Sequence, residues 1–536
     1  MPSLSWRTVI PRCFVWVPSA VLSTCAVVFI VSTRHWPFVG DEAIIRYVNF
    51  LLSRGMAPYR TIADINLPGS YAADWLAVHV FGPSALAWRF FDLTLLVIAT
   101  AAAISIAKPF GWFGGFYCGI LLLLVHGRDG IAQAGQRDLT MCVLVLLAVA
   151  FLFQARCRQS WICTAFFGLL CSAASTIKPT ILPLSVILWV MLILDLRRSG
   201  KPIRFHLLAG GAAIAAPWLA VAIFLIRAQA LSAFLWTMRS LVPYHASIGR
   251  QPLRYFLLHP FPAALLPILG IWILLLSLRS EPLTWERGVL MVCLGFGMLS
   301  LVAQGKGFPY HRYLSEAFLL LLAGIDFLQA ANAGGIRRAL GLTGLAFGVF
   351  VVAPISVAKA ASYQWQEQEF QTMLAHDLDA LGGPALDGHI QCLDTASGCI
   401  GTLENLHLEE STGLLYDCYL FSARPGVVQN RYRMRFWRQL QENPPSVVVA
   451  TNNFCVNPPT NFRRIDRWPE FDGWLQANYS LYVQRTPPDE VRWWSHPEKP
   501  SSYRIYVRRA QAKDNSRFPS GMTARETKAE ADSLRE

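Results

Sequence analysis

The chain has 536 residues, of which 54% are hydrophobic and 15% charged, with a mean hydropathy of +0.37 and a net charge of +13. That composition excludes a soluble protein, and the apolar residues arrive in blocks of about 17 to 25, enough at 1.5 Å per residue to cross a hydrocarbon core of roughly 30 Å. The positive charge falls in short clusters beside those blocks, where it acts as orientation signal for a membrane, and nucleic acid binding is not implied.

The first block, near 14–32, lacks a small-residue cleavage site and is followed by further spans, so it reads as a retained helix rather than a removed signal peptide. Basic clusters at Arg7 and Arg12, Lys108, Arg156 and Arg158, Arg197 to Arg204, Arg279 and Arg287, and Arg337 and Arg338 mark cytoplasmic ends. Passes counted between them give about eleven spans, near 14–32, 84–106, 111–125, 139–155, 161–177, 180–195, 207–227, 255–278, 288–303, 314–330 and 339–359. An odd number places the N terminus inside and everything after about Ala360 outside.

The loop over 33–83, between the first two spans, carries an acidic pair, Asp41 and Glu42, at the start of a helical segment. Ile44, Ile45, Val48, Leu51 and Leu52 recur at helical spacing with Arg46, Asn49 and Ser53 opposite, which predicts a helix lying in the membrane interface. Asp41 there serves equally well as an N-cap, or as a cap and a reactive carboxylate together. Tyr59, Arg60 and Asp64 lead into Asn66-Leu67-Pro68-Gly69-Ser70-Tyr71, a turn that restarts a second interfacial helix.

The next outer loop ends in Gln136-Arg137-Asp138, directly before the fourth span, so a second carboxylate stands at the same membrane face. The remaining outer loops are basic, with Lys178 before Pro179, His245 and Arg250 after the seventh span, and Lys306, His311 and Arg312 between the ninth and tenth. A Lys or Arg at mid-bilayer costs about 2.5 to 3.5 kcal/mol on insertion scales, and outer basic loops oppose the topology signal, so an anion such as a lipid phosphate is the expected compensation. Snorkelling to ordinary phospholipid is the plainer alternative.

After residue 360 the pattern changes to polar helical residues and short alternating runs at His389–Leu393, Ser446–Ala450 and Tyr503–Val507, predicting a small α/β domain over 360–509. The tail over 510–536 is charged, lacks apolar periodicity and reads as disordered. Of twelve cysteines, Cys392, Cys399, Cys418 and Cys455 fall in the outer domain, where an oxidising compartment favours two disulfides; Cys392 with Cys399 and Cys418 with Cys455 is one of three pairings.

The order and common side of these motifs resemble the polytopic glycosyltransferases of the GT-C superfamily, within it the protein mannosyltransferase and aminoarabinose transferase-like bacterial group that uses polyprenyl-phosphate sugars. The residues that carry the resemblance are Asp41-Glu42, the Pro68-Gly69-Ser70-Tyr71 turn, Phe81-Gly82-Pro83-Ser84 to Arg89, Gln136-Arg137-Asp138, Lys178-Pro179-Thr180 and Gln304-Gly305-Lys306-Gly307-Phe308-Pro309-Tyr310-His311. It covers roughly residues 10–360. The resemblance implies a polytopic α-helical membrane protein of GT-C type over 1–359 with a C-terminal outer α/β domain, in the inner membrane if bacterial, with the N terminus cytoplasmic.

The implied activity is inverting transfer of one sugar from a polyprenyl-phosphate donor to an extracytoplasmic lipid, polysaccharide or protein acceptor. Asp41 is then the base, with Glu42 or Asp138 orienting the acceptor or, with Asp41, holding a divalent metal, Mg or Mn, if one is used. Lys306, His311, Arg312 and Lys178 are expected on the donor phosphate, and Tyr59, Arg60, Asn66 and Tyr71 on the acceptor. The competing readings are a transporter or flippase, which would place ionisable groups in mid-span, an O-antigen ligase or polymerase, and a ligand sensor anchored by its spans.

Overall fold

In the computed structural model, the described residues are 13–36, 40–130, 133, 135–279, 282–362, 366–395, 397–453, 462–487 and 501–509. The expected disordered tail beyond residue 510 and Cys455 lie outside them.

The membrane body follows the hydropathy pattern closely. α1 (Cys13–Thr33) is followed by two short outer helices, α2 (Asp41–Ser53) and α3 (Pro68–Phe81). Then come α4 (Ala85–Ala107), α5 (Trp112–Arg128), α6 (Arg137–Arg158), α7 (Trp161–Ile177), α8 (Ile181–Arg198) and α9 (Arg204–Arg227). Three short helices, α10 (Leu231–Trp236), α11 (Val242–Ser247) and α12 (Leu253–Leu258), run between α9 and α13 (Leu266–Ser277). α14 (Trp285–Gln304), α15 (Tyr313–Ala331), and α16 (Gly335–Phe347) with α17 (Ala353–Ser362), joined by a π-helical turn, complete the body.

Among the described residues, seven helical segments are long and apolar enough to cross a membrane, and 112–128, 161–177 and 263–277 are shorter apolar helices. With α8 these make the eleven segments expected from hydropathy; the eighth is shorter than its expected 255–278, because α12 is a separate helix and a 3₁₀ turn over Ala263–Leu265 opens α13. The chain is a multi-pass membrane protein of helical architecture with a small mixed sheet at its C-terminal end.

One end of the body is tied by ion pairs, part-buried at Arg156 and buried at Arg287. Arg156 at the end of α6 donates to Asp195 of α8 at 2.7 Å and to Glu286 of α14, and Arg287 pairs with Asp326 of α15. The opposite ends of α6, α7 and α14 carry Asp138, Lys178 and Lys306, so the helices' alternation alone gathers the polar loops at one face.

The C-terminal domain, expected from the sequence on the outer side, comprises α18 (Gln366–Ala380), α19 (Cys399–Asn405), α20 (Asp417–Leu420), α21 (Val427–Glu442), α22 (Pro469–Asn478) and a four-stranded sheet. β1 (Ile390–Leu393), β2 (Val447–Thr451), β3 (Tyr479–Arg485) and β4 (Tyr503–Arg508) lie in the order β1-β2-β4-β3. β1 pairs parallel to β2 with Ile390 opposite Val447, and β4 is antiparallel to both β2 and β3. β2 reads Val-Val-Val-Ala-Thr and is buried throughout, as a central strand covered on both faces must be. Cys392 and Cys399 form a disulfide, as in one of the pairings weighed above, whereas Cys418 is a buried free thiol.

α2 departs from its expected place. Its apolar residues Ile44, Ile45, Val48 and Leu51 are buried in one core with Leu374, Ile400, Leu408 and Leu415 of the outer domain. The tyrosine hydroxyl of Tyr47 donates to the Leu408 carbonyl at 3.0 Å and accepts from the Glu410 amide at 2.8 Å. Amphipathic spacing states that a face seeks apolar cover but not whether lipid or protein supplies it; here protein does. α3, by contrast, keeps Trp75, Leu76 and Val80 exposed, the apolar face expected of a helix at the membrane surface.

Candidate active site

Asp41 is the first residue of α2, but Gly40 takes the N-cap position with φ of +64° and the cap is not made by a side chain. Asp41 is therefore free of the capping duty that would have explained it cheaply, while its carboxylate still benefits from the helix N-terminus. The Tyr310 hydroxyl hydrogen-bonds this carboxylate, and the Arg137 guanidinium faces both it and Asp138. Asp138 is likewise not a cap, because Gln136 holds that position. It is buried, forms an ion pair with the Lys178 ammonium, and lies 4.0 Å from Arg137 Nε.

Lys306 follows the left-handed Gly305 that ends α14. With Lys178 and Arg137 it faces His311, and with Arg137 it faces His245 of α11. Burial, reinforced by these two cations, holds the His245 imidazole well below its usual pKa, so it is neutral at pH 7. The Tyr419 hydroxyl sits 2.9 Å from His245 Nδ1. Asp41 thus faces Arg137 and Lys178, and these two cations together with Lys306 surround His311.

Two close approaches hold this geometry. A Cβ on Gly69, at the start of α3, would lie 2.4 Å from Thr176 Oγ1 and 2.6 Å from its carbonyl carbon, so only glycine lets α3 press on the end of α7 that carries Lys178. Gly135 has φ of +71°, and a Cβ there would lie 2.2 Å from Trp88 Nε1 and 2.9 Å from Glu42 Cγ. Behind that loop the Arg89 guanidinium pairs with Asp92 and stacks over Phe29 and Trp36, and His126 bridges Asp92 at 3.3 Å to the Tyr313 hydroxyl at 2.9 Å. Tyr313 in turn donates to Gln133 at 3.1 Å, fixing the segment that leads to Asp138.

Several expected site residues stand elsewhere. Glu42, one residue on from Asp41, is turned about 100° around the helix into the seam between α2 and α3, where it hydrogen-bonds Asp74. Burial, with the Asp74 charge second, raises the Glu42 pKa well above the carboxylate range; burial raises Asp74 as well. The pair holds a proton, and Asn49 and Arg46 complete its shell. Glu42 is a packing group of the α2–α3 seam rather than a second wall of the chamber. Arg312, beside His311, faces Asp129 and Glu316 in a separate polar group, because successive residues of the 3₁₀ turn Pro309–Arg312 point about 120° apart.

Asn66 and Tyr71 are brought together around Asp64. Asn66 Nδ2 donates to Asp64 Oδ1 at 3.0 Å and the Tyr71 hydroxyl to Oδ2 at 2.7 Å. Tyr59, at φ of +61°, donates its hydroxyl to the Asn66 carbonyl at 2.6 Å, whereas Arg60 is exposed and donates to Gln229 at 2.9 Å. A residue that the sequence does not advertise completes the set: Tyr416 of the outer domain donates to Asp64 Oδ1 at 2.6 Å and lies near Asp41 and Arg137. It comes from a stretch without any recognisable motif.

The donor set does not fit a divalent cation. Asp138 is spent on Lys178, Asp41 is bonded by Tyr310, and a metal between them would sit in the field of Arg137 and Lys178. Among the described residues no three His, Cys, Asp or Glu side chains converge elsewhere. No step below is routed through a metal.

The body, the loop helices and the C-terminal domain together share their fold with solved membrane proteins. The chain is similar in structure to ArnT from Cupriavidus metallidurans in the apo state, with a TM-score of 0.58 at 13% identity over 92% of this chain and 98% of that one. ArnT bound to undecaprenyl phosphate gives 0.55 at 12% identity, over 91% and 98%. The archaeal oligosaccharyltransferase AglB from Archaeoglobus fulgidus, in complex with an inhibitory peptide and a dolichol-phosphate, gives 0.52 at 11% identity, over 90% of this chain and 75% of that one. No family model and no curated relative matches the sequence.

Proposed function

We propose that this protein is a glycosyltransferase that moves one sugar from a polyprenyl-phosphate carrier to an acceptor hydroxyl outside the cytoplasm. The observation that carries the reading is the chamber itself, a lone accessible carboxylate at a helix N-terminus facing a buried wall of cations. The likeness to ArnT and AglB, whose structures contain undecaprenyl phosphate and dolichol-phosphate, supports a lipid-phosphate donor.

In this reading Asp41 accepts the acceptor's hydroxyl proton as that oxygen attacks carbon one of the donor sugar. The bond from carbon one to the phosphate oxygen breaks, its electron pair leaves with the carrier phosphate, and a diester becomes a monoester carrying additional negative charge. Lys306 and Arg137 stabilise that charge, with His311 donating from its ring and Lys178 acting through Asp138. Fixed cations in a site shielded from bulk water are worth more than in solution, since the local dielectric is lower. Attack opposite the leaving phosphate inverts carbon one. The clustering of charged groups at one face, rather than at mid-span, favours this reading over a transporter.

The test is transfer from radiolabelled polyprenyl-phosphate hexose and pentose donors to lipid, polysaccharide and protein fractions. Wild type is expected to label one fraction, and folded Asp41→Asn to lose about 10²- to 10⁴-fold in rate, the usual worth of a general base. Equal transfer by the variant removes Asp41 as the base, and absence of transfer from every donor refutes the transferase reading.

A further inference from the structure

A cavity of about 600 Å³ opens beside the chamber, between the first outer loop, the α10 region and α21. Ligand sites typically occupy about 300 to 1,000 Å³. Four arginines line it, Arg60, Arg431, Arg435 and Arg438, together with Trp236 and Tyr432. Arg431, Arg435 and Arg438 recur at i, i+4 and i+7, so α21 turns three guanidiniums to one face, a spacing at which like charges destabilise a helix.

Their positive charge is held in place without matching carboxylates. Arg435 donates to the carbonyls of Arg60 at 2.8 Å and Thr61 at 2.7 Å, and Arg431 stacks over Trp236 at 4.4 Å. Among the described residues the ion pair made by this set is Arg438 with Glu442 at 4.0 Å, both side chains exposed. Burial first, and then the charges of Arg438 and Arg431, pull the Arg435 pKa down, as expected where guanidiniums crowd without counter-charge. Planar guanidiniums in this arrangement match the oxygens of a phosphate.

The cavity's place in the fold indicates where such a phosphate comes from. α10 follows almost directly on the membrane helix α9 and leaves Leu231 and Leu235 exposed, while Trp236 lines the cavity. Exposed leucines beside an inward tryptophan place this wall at the level of lipid head groups. The far wall reaches the chamber: the Tyr432 hydroxyl accepts from the Tyr416 amide at 3.3 Å, and Tyr416 holds Asp64.

We propose that this cavity binds the phosphate of a lipid head group, and that the lipid so held is the sugar acceptor. The second clause rests on the transferase reading above; the phosphate site stands without it.

Full-length protein in phosphatidylcholine nanodiscs, titrated calorimetrically with dihexanoylglycerol 3-phosphate, tests the site. Wild type is expected to bind that lipid, and Arg431→Gln with Arg438→Gln to weaken it at least about tenfold. Arg431→Lys with Arg438→Lys should recover part of the loss, which a purely structural role would not produce. Equal binding of neutral dihexanoylglycerol, or unchanged affinity in the glutamine variant, overturns the site. Inorganic phosphate binding as tightly as the lipid overturns its lipid origin. In the transfer assay the glutamine variant should raise the acceptor KM while slow release of free sugar from the donor continues unchanged. An unchanged KM overturns the acceptor role alone, and absence of any donor turnover by wild type refutes the transferase reading while the calorimetry still decides the site.

Discussion

Removing the Lys178 ammonium should be costly for a reason that can be worked from its surroundings. Asp138 is 1% exposed and Lys178 8% exposed, and the two form an ion pair where helices α6 and α7 meet. Breaking a buried pair by deleting one partner costs about 3 to 5 kcal/mol, because the remaining charge is left without compensation. Arg137 Nε, 4.0 Å from the Asp138 carboxylate, supplies partial relief, so Lys178→Met belongs at the lower end, about 3 kcal/mol. Replacing both partners by apolar residues of similar volume, Lys178→Met with Asp138→Leu, should return the loss to within about 1 kcal/mol of wild type, since no buried charge is stranded. Both variants should nevertheless lose sugar transfer, because the cation wall is breached in each. The assay is reversible unfolding in mixed dodecylmaltoside and dodecyl sulfate micelles, followed by near-ultraviolet circular dichroism, beside the transfer rate. A single variant as stable as wild type, or a double variant as unstable as the sum of the single ones, would refute the reasoning.

Other consequences can be checked as directly. Glu42 has a raised folded pKa, so its stabilising contribution is complete below the unfolded value near 4.5 and is lost as pH rises through the folded value; Glu42→Gln should flatten that decline in thermal unfolding between pH 5 and 9 and leave transfer intact. His245 has the opposite sign: its lowered folded pKa means stability is present above about 6.5 and falls as pH drops below it, a fall that His245→Gln should reduce. Tyr416→Phe removes one donor from buried Asp64, for an expected loss of about 1 kcal/mol and a drop in transfer rate, measured by the same two assays. Replacing Cys392 and Cys399 by serine frees a loop closed over 7 residues and should destabilise the outer domain by about 2 kcal/mol in denaturant titration.

The membrane body was readable because hydropathy and basic clusters report the same alternation from two directions. That Asp41, Asp138, Lys178, Lys306 and His311 would lie near one another was readable for a related reason: each lies next to a helix end, and the parity of crossings puts those ends together. What adjacency in the chain does not fix is rotation. Glu42 and Arg312 each sit one residue from a chamber residue and face elsewhere, one because of the helix turn and one because of a 3₁₀ turn. Tyr416 was invisible for another reason, since its meeting with Asp64 spans 352 residues and leaves no local periodicity. α2 shows the limit of amphipathic patterns: an apolar stripe reads the same whether it meets acyl chains or the leucines of another domain.

That burial of α2 has a bearing on how the protein comes into being. Tyr47 is anchored to Leu408 and Glu410, 361 and 363 residues later in the chain, and the backbone of Ala63 donates to Gly413 at 2.6 Å. At about 5 to 20 residues per second, roughly 20 to 70 s of synthesis separate the emergence of the Asp41 carboxylate from that of the segment that seats α2. Until then α2 lacks its cover and Asp41 its final bearing, so a nascent or truncated chain that already holds every transmembrane helix would still lack the seat that Leu408 and Glu410 give α2.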